Sequence, residues 1–241
     1  MWKFLKNNIY FWLMYRIVLL ILLYTACRLL FYFFNTGYFE GMTTNHMLTL
    51  MWAGFAFDIS AICYINSLYI FGQILPFNFR YRKTYQKGLK ILYCVSNSLF
   101  FFFNCTDFAL FRFTLRRTTM SVFSEFTNDA GNGNLLWQLI IDYWWILFIW
   151  IIISLILVFA YGKKRLILSA FSSSKIYIAK QVIAMVLVLG TAVIAMRGGL
   201  SNVQPIDINH AALKINKPIE SNIVLNTSFT LIRTSKQKPI I

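Results

Sequence analysis

The chain has 241 residues, of which 59% are apolar, 18% aromatic and only 13% charged, and its mean hydropathy is +0.62. A soluble domain carries about a quarter charged residues, so most of this chain has lipid as its solvent. The net charge of +15 does not indicate nucleic acid. The basic residues cluster between apolar runs and form neither a tract nor a known reading motif, so the charge reads as topology.

Crossing about 30 Å of hydrocarbon takes roughly 20 residues. Runs of that kind occur at 9–34, 48–75, 89–111, 137–161 and 178–196. They predict an all-α membrane protein: a bundle of five transmembrane helices over 1–197, followed by an extracytoplasmic juxtamembrane linker over 198–241. Nothing repeats at a fixed period, and five spans do not divide into the matched halves usual in secondary transporters.

The connections alternate in charge. Lys3 and Lys6 precede the first run, and the 35–47 loop has no Lys or Arg. The 76–88 loop carries Arg80, Arg82, Lys83 and Lys87, and the fourth connection carries Lys163, Lys164, Arg165 and Lys175. By the positive-inside rule the amino end and the basic connections are cytoplasmic, and everything after Arg197 is external. Tyr143, Trp144 and Trp145 mark the outer mouth of the fourth span, and Trp2, Tyr10 and Trp12 the inner mouth of the first. The tail from residue 198 has no further spanning run and is too short for a sizeable core of its own, which predicts a linker or a segment lying on the membrane surface.

Cys27, Cys63, Cys94 and Cys105 all fall in apolar runs without CxxC or Cys/His spacing, so they read as small core residues. Tyr24-Thr25-Ala26-Cys27 is a poor lipoprotein site because Tyr24 stands where a small aliphatic residue is needed. The first run is too long for a signal peptide and lacks an A-x-A site, so it reads as a retained helix.

Polar groups inside a bilayer usually face protein or water. Asp58 lies about ten residues into the second span, and Asn97, Asn104 and Asp107 share one face of the third. This polar seam has two readings, interhelical hydrogen bonding or a lipid or substrate path. Arg28, near the outer end of the first span, either reaches Asp58 or snorkels to the headgroups, and Arg16 is expected to snorkel inward.

The outer loop from Arg112 to Phe126 combines Arg112, Arg116, Arg117, Thr118 and Thr119 with an apolar side formed by Val122, Phe123 and Phe126. It predicts a short amphipathic helix on the outer surface, capped by Thr118 or Thr119. Guanidinium groups, hydroxyls and free backbone N–H groups at a helix start suit a lipid phosphate. Arg197 is expected at similar depth. The competing reading is three arginines neutralising ordinary headgroups. No catalytic set emerges, since Glu40, His46, Glu125, Asp129, Asp142, Asp207, His210 and Glu220 are scattered without metal-ligand spacing. The chain alone is therefore expected to be inactive.

Three further stretches suggest a family. Met196-Arg197-Gly198-Gly199-Leu200, with Gln204-Pro205-Ile206 and Val224-Leu225-Asn226-Thr227-Ser228-Phe229-Thr230-Leu231-Ile232, resembles the junction after the fifth helix in lipoteichoic acid synthase-like proteins. Phe57-Asp58-Ile59-Ser60-Ala61 and Phe113-Thr114-Leu115-Arg116-Arg117-Thr118-Thr119 resemble further signatures of that group. The motifs are short, and their order and agreement with the topology carry the resemblance. It implies an anchor in the bacterial cytoplasmic membrane and an extracytoplasmic domain of the sulfatase or alkaline phosphatase type. Such a domain uses a threonine nucleophile and a divalent metal, commonly manganese, to move phosphoglycerol or phosphoethanolamine from a phospholipid. The sequence stops at Ile241, where that domain is expected to begin, so no catalytic or metal-binding residue is carried over. The expected role is a membrane anchor presenting anionic phospholipid to a catalytic domain in the same or a separate chain. The alternative is a small transport or scaffold subunit of a membrane complex, supported by the seam of Asp58, Asn97, Asn104 and Asp107.

Overall fold

The computed structural model describes residues 8–122, 141–162, 175–200 and 204–235. Every regular element among them is helical. Helix α1 (Ile9–Phe34) starts where the Asn8 side chain accepts a hydrogen bond from the Tyr10 N–H. Its buried face runs Leu13, Arg16, Leu20, Tyr24, Cys27, Phe31, a spacing of three and four that draws one stripe along a helix. Helix α2 (Thr44–Ile65) is capped by Thr43, and α3 (Ser67–Ile74) follows it after a turn at Asn66.

The stretch expected to cross as one span over 48–75 is therefore two helices. Asn66 is the reason. Its side-chain amide donates both to the carbonyl of Ile62 one turn back and to Asn97 of the neighbouring helix, and Asn97 donates in return at 2.8 Å. Asparagine side chains compete with the backbone ladder in this way.

Helix α4 (Lys83–Thr114) is the longest, at 32 residues, and extends beyond the expected 89–111 at both ends. It stops at Leu115, which has φ +52° and turns the chain back on itself. Helix α5 (Trp144–Ala160) lies antiparallel to α4, with Trp150 donating to the Ser98 carbonyl and Ser154 meeting Ser98 at 2.7 Å. Helix α6 (Lys175–Arg197) closes against α2 and α3 and ends at Gly198 and Gly199, both with positive φ. At Gly198 a Cβ would collide with the Ile206 side chain, so only glycine lets the tail fold back there. Among the described residues four helices, α1, α2, α4 and α6, are long and apolar enough to cross a membrane, and α5 is a shorter apolar helix of 17 residues. The set is compatible with a multi-pass membrane protein.

The tail, expected as a linker or a surface segment, departs from that in its second half: residues 222–231 are buried against the bundle, while most of 204–218 stays exposed or half-buried. Three short 3₁₀ and helical turns lead through Pro218–Glu220 and α7 (Ser221–Val224) into α8 (Thr227–Thr234). Ile223, Val224, Thr227, Ser228 and Phe229 are fully buried. Ser228 bonds Tyr24, ten residues before α1 ends, or ~15 Å along its axis. A polar segment can sit that deep only where protein groups satisfy its backbone and side chains.

Candidate functional site

The groups that satisfy it form one polar layer between α1, α2, α4 and the tail. Arg28 and Asp58 make a buried ion pair. Arg28 also donates to the carbonyls of Gly54, Ile223 and Val224, while Asp58 accepts from Asn226 at 2.7 Å. Gly54 is required because a Cβ there would strike the guanidinium. Arg28 thus does the work of a C-cap for the four-residue α7, whose last carbonyls have no partner within the helix.

The second half of the layer surrounds Asp107. Because Leu115 reverses the chain, Thr118 returns to a level seven residues before the end of α4, ~10 Å along the helix. Both the hydroxyl and the N–H of Thr118 bond the Asp107 carboxylate, and the hydroxyl of Thr227 bonds its other oxygen. Arg117 approaches the same carboxylate at 3.7 Å, lies over the Phe31 ring at 3.5 Å, and donates Nε–H to the Asn222 carbonyl. Asn104 completes the layer by accepting from the Thr227 N–H and donating to Ser228.

Arg28, Asp58, Asn104, Asp107, Arg117 and Thr118 therefore come together. Asn97 does not, since it pairs with Asn66 farther along the bundle. Arg117 and Thr118, expected to face lipid phosphate, are 4% and 5% exposed and turned inward, which corrects that expectation. Arg112 and Arg116 remain exposed, with Arg112 donating to the Phe34 carbonyl. Thr119 bonds Ser121, and Arg197 is exposed in the last turn of α6. Residues 120–122 begin a helical turn, and the rest of the expected outer helix, through Phe126, lies outside the described residues.

Sequence reasoning missed the tail's own contributors: Asn222, Asn226, Thr227 and Ser228. The available signal was Asn226 as an N-cap, its side chain accepting from the Phe229 N–H. It also missed a cleft of about 210 Å³ beside the Phe34 end, lined by Tyr38, Glu40, His46, Lys217 and Glu220 among others. His46 Nε2 lies 2.9 Å from Glu220, whose same oxygen accepts the N–H groups of Asn216 and Lys217. Burial works to raise the Glu220 carboxyl, but these hydrogen bonds outweigh it and hold the group below its ordinary range.

The opposite end of the bundle is arginine and tyrosine chemistry. Arg16, expected to snorkel, is buried, stacked on Tyr161 at 3.6 Å and bonded to the Tyr69 hydroxyl. Arg80 ties the turn before α4 to α6 through Tyr81, Tyr177 and Gln181. Among the described residues no group of three His, Cys, Asp or Glu is placed to hold a metal ion. No family model, curated protein or solved structure matches the chain.

Proposed function

We propose that this chain is the membrane anchor and lipid-presenting part of a lipoteichoic acid synthase-like headgroup transferase. In this reading it sits in the bacterial cytoplasmic membrane with the Phe34 end of the bundle outside. The observation that carries it is convergence. The three stretches behind the resemblance lie far apart in sequence yet meet in one layer, through Asp58 with Asn226 and through Asp107 with Thr118 and Thr227. Features held together by one network support a common purpose, and the purpose that fits is to clamp the tail. A catalytic domain attached to or resting on that tail would be held at a fixed place beside the bilayer surface. The basic groups at the Arg80 end agree with a cytoplasmic face.

Lipid presentation falls to the exposed arginines of the outer rim, Arg112 and Arg116, because guanidinium groups bind phosphate in bidentate fashion. Native mass spectrometry tests this by measuring phosphatidylglycerol retention for the parent, Arg112→Ala/Arg116→Ala and the control Lys163→Ala/Lys164→Ala. A charge-assisted hydrogen bond contributes about 1.5–3 kcal/mol, so the rim pair should weaken retention by roughly tenfold or more while the control stays near the parent. Equal losses in the two variants would make the rim arginines ordinary interface charges and remove the lipid-presenting role.

A further inference from the structure

The tail is fastened in two chemically different places. Residues 222–230 are held by the buried layer of Arg28, Asp58, Arg117 and Asp107. The polar fastening of residues 216–220 to α2 is instead one carboxylate at the edge of the molecule, beside the apolar packing of Ile215 and Ile219. Glu220 accepts from His46 on the first turn of α2 and from two backbone N–H groups of its own turn. We propose that the Glu220–His46 pair is an acid-released latch, which frees the outer part of the tail and widens the cleft beside it while the inner part stays clamped.

His46 Nε2 cannot both donate to Glu220 and accept from the Asn216 amide, which sits 3.4 Å away. The shorter contact, to a carboxylate, makes Nε2 the donor, and Nε2–H is present in charged imidazole and in that tautomer of the neutral ring. Protonation of His46 therefore preserves the latch. Protonation of Glu220 removes it, because a neutral carboxyl loses the negative oxygen that three donors share.

The surrounding charges do not replace that oxygen. Glu40 and Lys217 line the same cleft, with Lys217 Nζ directed at the Glu40 backbone carbonyl at 3.4 Å. On the neighbouring 3₁₀ turn, the Asp207 N–H donates to the ring of His210. Arg28 and Arg117 are committed to the carbonyls of residues 222–224. The Glu220 carboxyl is held below its ordinary range when folded. Its contribution is therefore complete above the ordinary glutamate value of about 4.3 and is lost as pH falls through the lower folded value.

The test is hydrogen exchange read by mass spectrometry on the full chain in nanodiscs, at about pH 7, 5 and 3.5, corrected for the intrinsic rate. In the parent, residues 216–220 should lose protection by up to about sixfold between pH 5 and 3.5, the ceiling that one carboxyl of ordinary value about 4.3 sets, while 223–235 hold theirs. Glu220→Gln should show low protection of 216–220 at every pH with no step. His46→Ala, which leaves the carboxylate bonded only within its own turn and removes its tie to α2, should likewise lower the protection of 216–220 at pH 7 and shrink the step. Simultaneous loss from both segments, or the parental step persisting in Glu220→Gln, would overturn the proposal.

Discussion

Asp107 and Thr227 are 120 positions apart in sequence and joined by a hydrogen bond at the centre of the polar layer. Together with Thr118 on its other oxygen, that bond makes a fully buried carboxylate the meeting point of α4, the reversed loop after it and the tail. Thr118 and Arg117 stay on Asp107 if Thr227 is changed, so what is lost is one hydrogen bond to a charged group, about 1.5–3 kcal/mol. Thr227→Val keeps the shape and deletes the hydroxyl, so it should destabilise the purified protein by roughly that amount. Thr227→Ser should recover most of it. Thermal unfolding in one detergent reads both, and a valine variant as stable as the parent would mean the bond contributes nothing to holding the tail.

The Arg28–Asp58 pair allows a sharper test, because each partner also serves the tail. Replacing one partner of a buried pair leaves a charge uncompensated and costs about 3–5 kcal/mol, whereas replacing both with apolar residues of similar volume is much milder. Arg28→Met and Asp58→Leu should each be strongly destabilising. The double variant should be more stable than their sum predicts, though not equal to the parent, since the carbonyls of Ile223 and Val224 and the Asn226 amide lose their partners too. Strict additivity of the three unfolding measurements would show that the pair is not coupled.

These contacts mark the limit of what pattern reading reaches. Hydrophobic runs place α1 at 9–34 because its solvent-facing and protein-facing residues are both apolar and the run ends sharply at Asn35. They also identify Asp58, Asn104 and Asp107 as inward groups, since a polar residue in a spanning run usually faces protein or water, and they leave Arg28 between Asp58 and the headgroups. They do not identify what those groups face. The tail's Asn, Thr and Ser residues look like those of a solvated linker, and their burial depends on donors and acceptors more than a hundred positions away. Arg116 and Arg117 are adjacent, and only the positive φ at Leu115 decides that the second turns inward while the first stays exposed. The break at Asn66 is invisible for a related reason: it depends on a partner amide at Asn97 that no local window contains.

The charge pattern makes a definite prediction of topology, which thiol labelling reads. Single cysteines at positions 40, 83, 164 and 214 should divide into two classes when intact cells meet an impermeant thiol reagent. The four native cysteines are first replaced by alanine, because Cys94 is half-buried and would add background. Positions 40 and 214 should label from outside. Positions 83 and 164, in basic connections, should label only after permeabilisation. The informative comparison is 164 against 40, because they lie on opposite sides only if α4 and α5 both behave as crossings of consistent direction. Helix α5 is the weak point: its 17 residues rise ~25 Å, short of the hydrocarbon thickness of about 30 Å. The ring contacts of Tyr143 with Phe113, Trp150 with Phe102 and Tyr161 with Tyr93 argue that it crosses, since they run antiparallel along its length beside the 32-residue α4. Labelling of 164 from outside together with 40 would make α5 re-entrant and reduce the crossings. Protection at 214 with labelling at 83 would invert the whole arrangement and move the clamped tail to the cytoplasmic side, where it could not carry an extracytoplasmic domain.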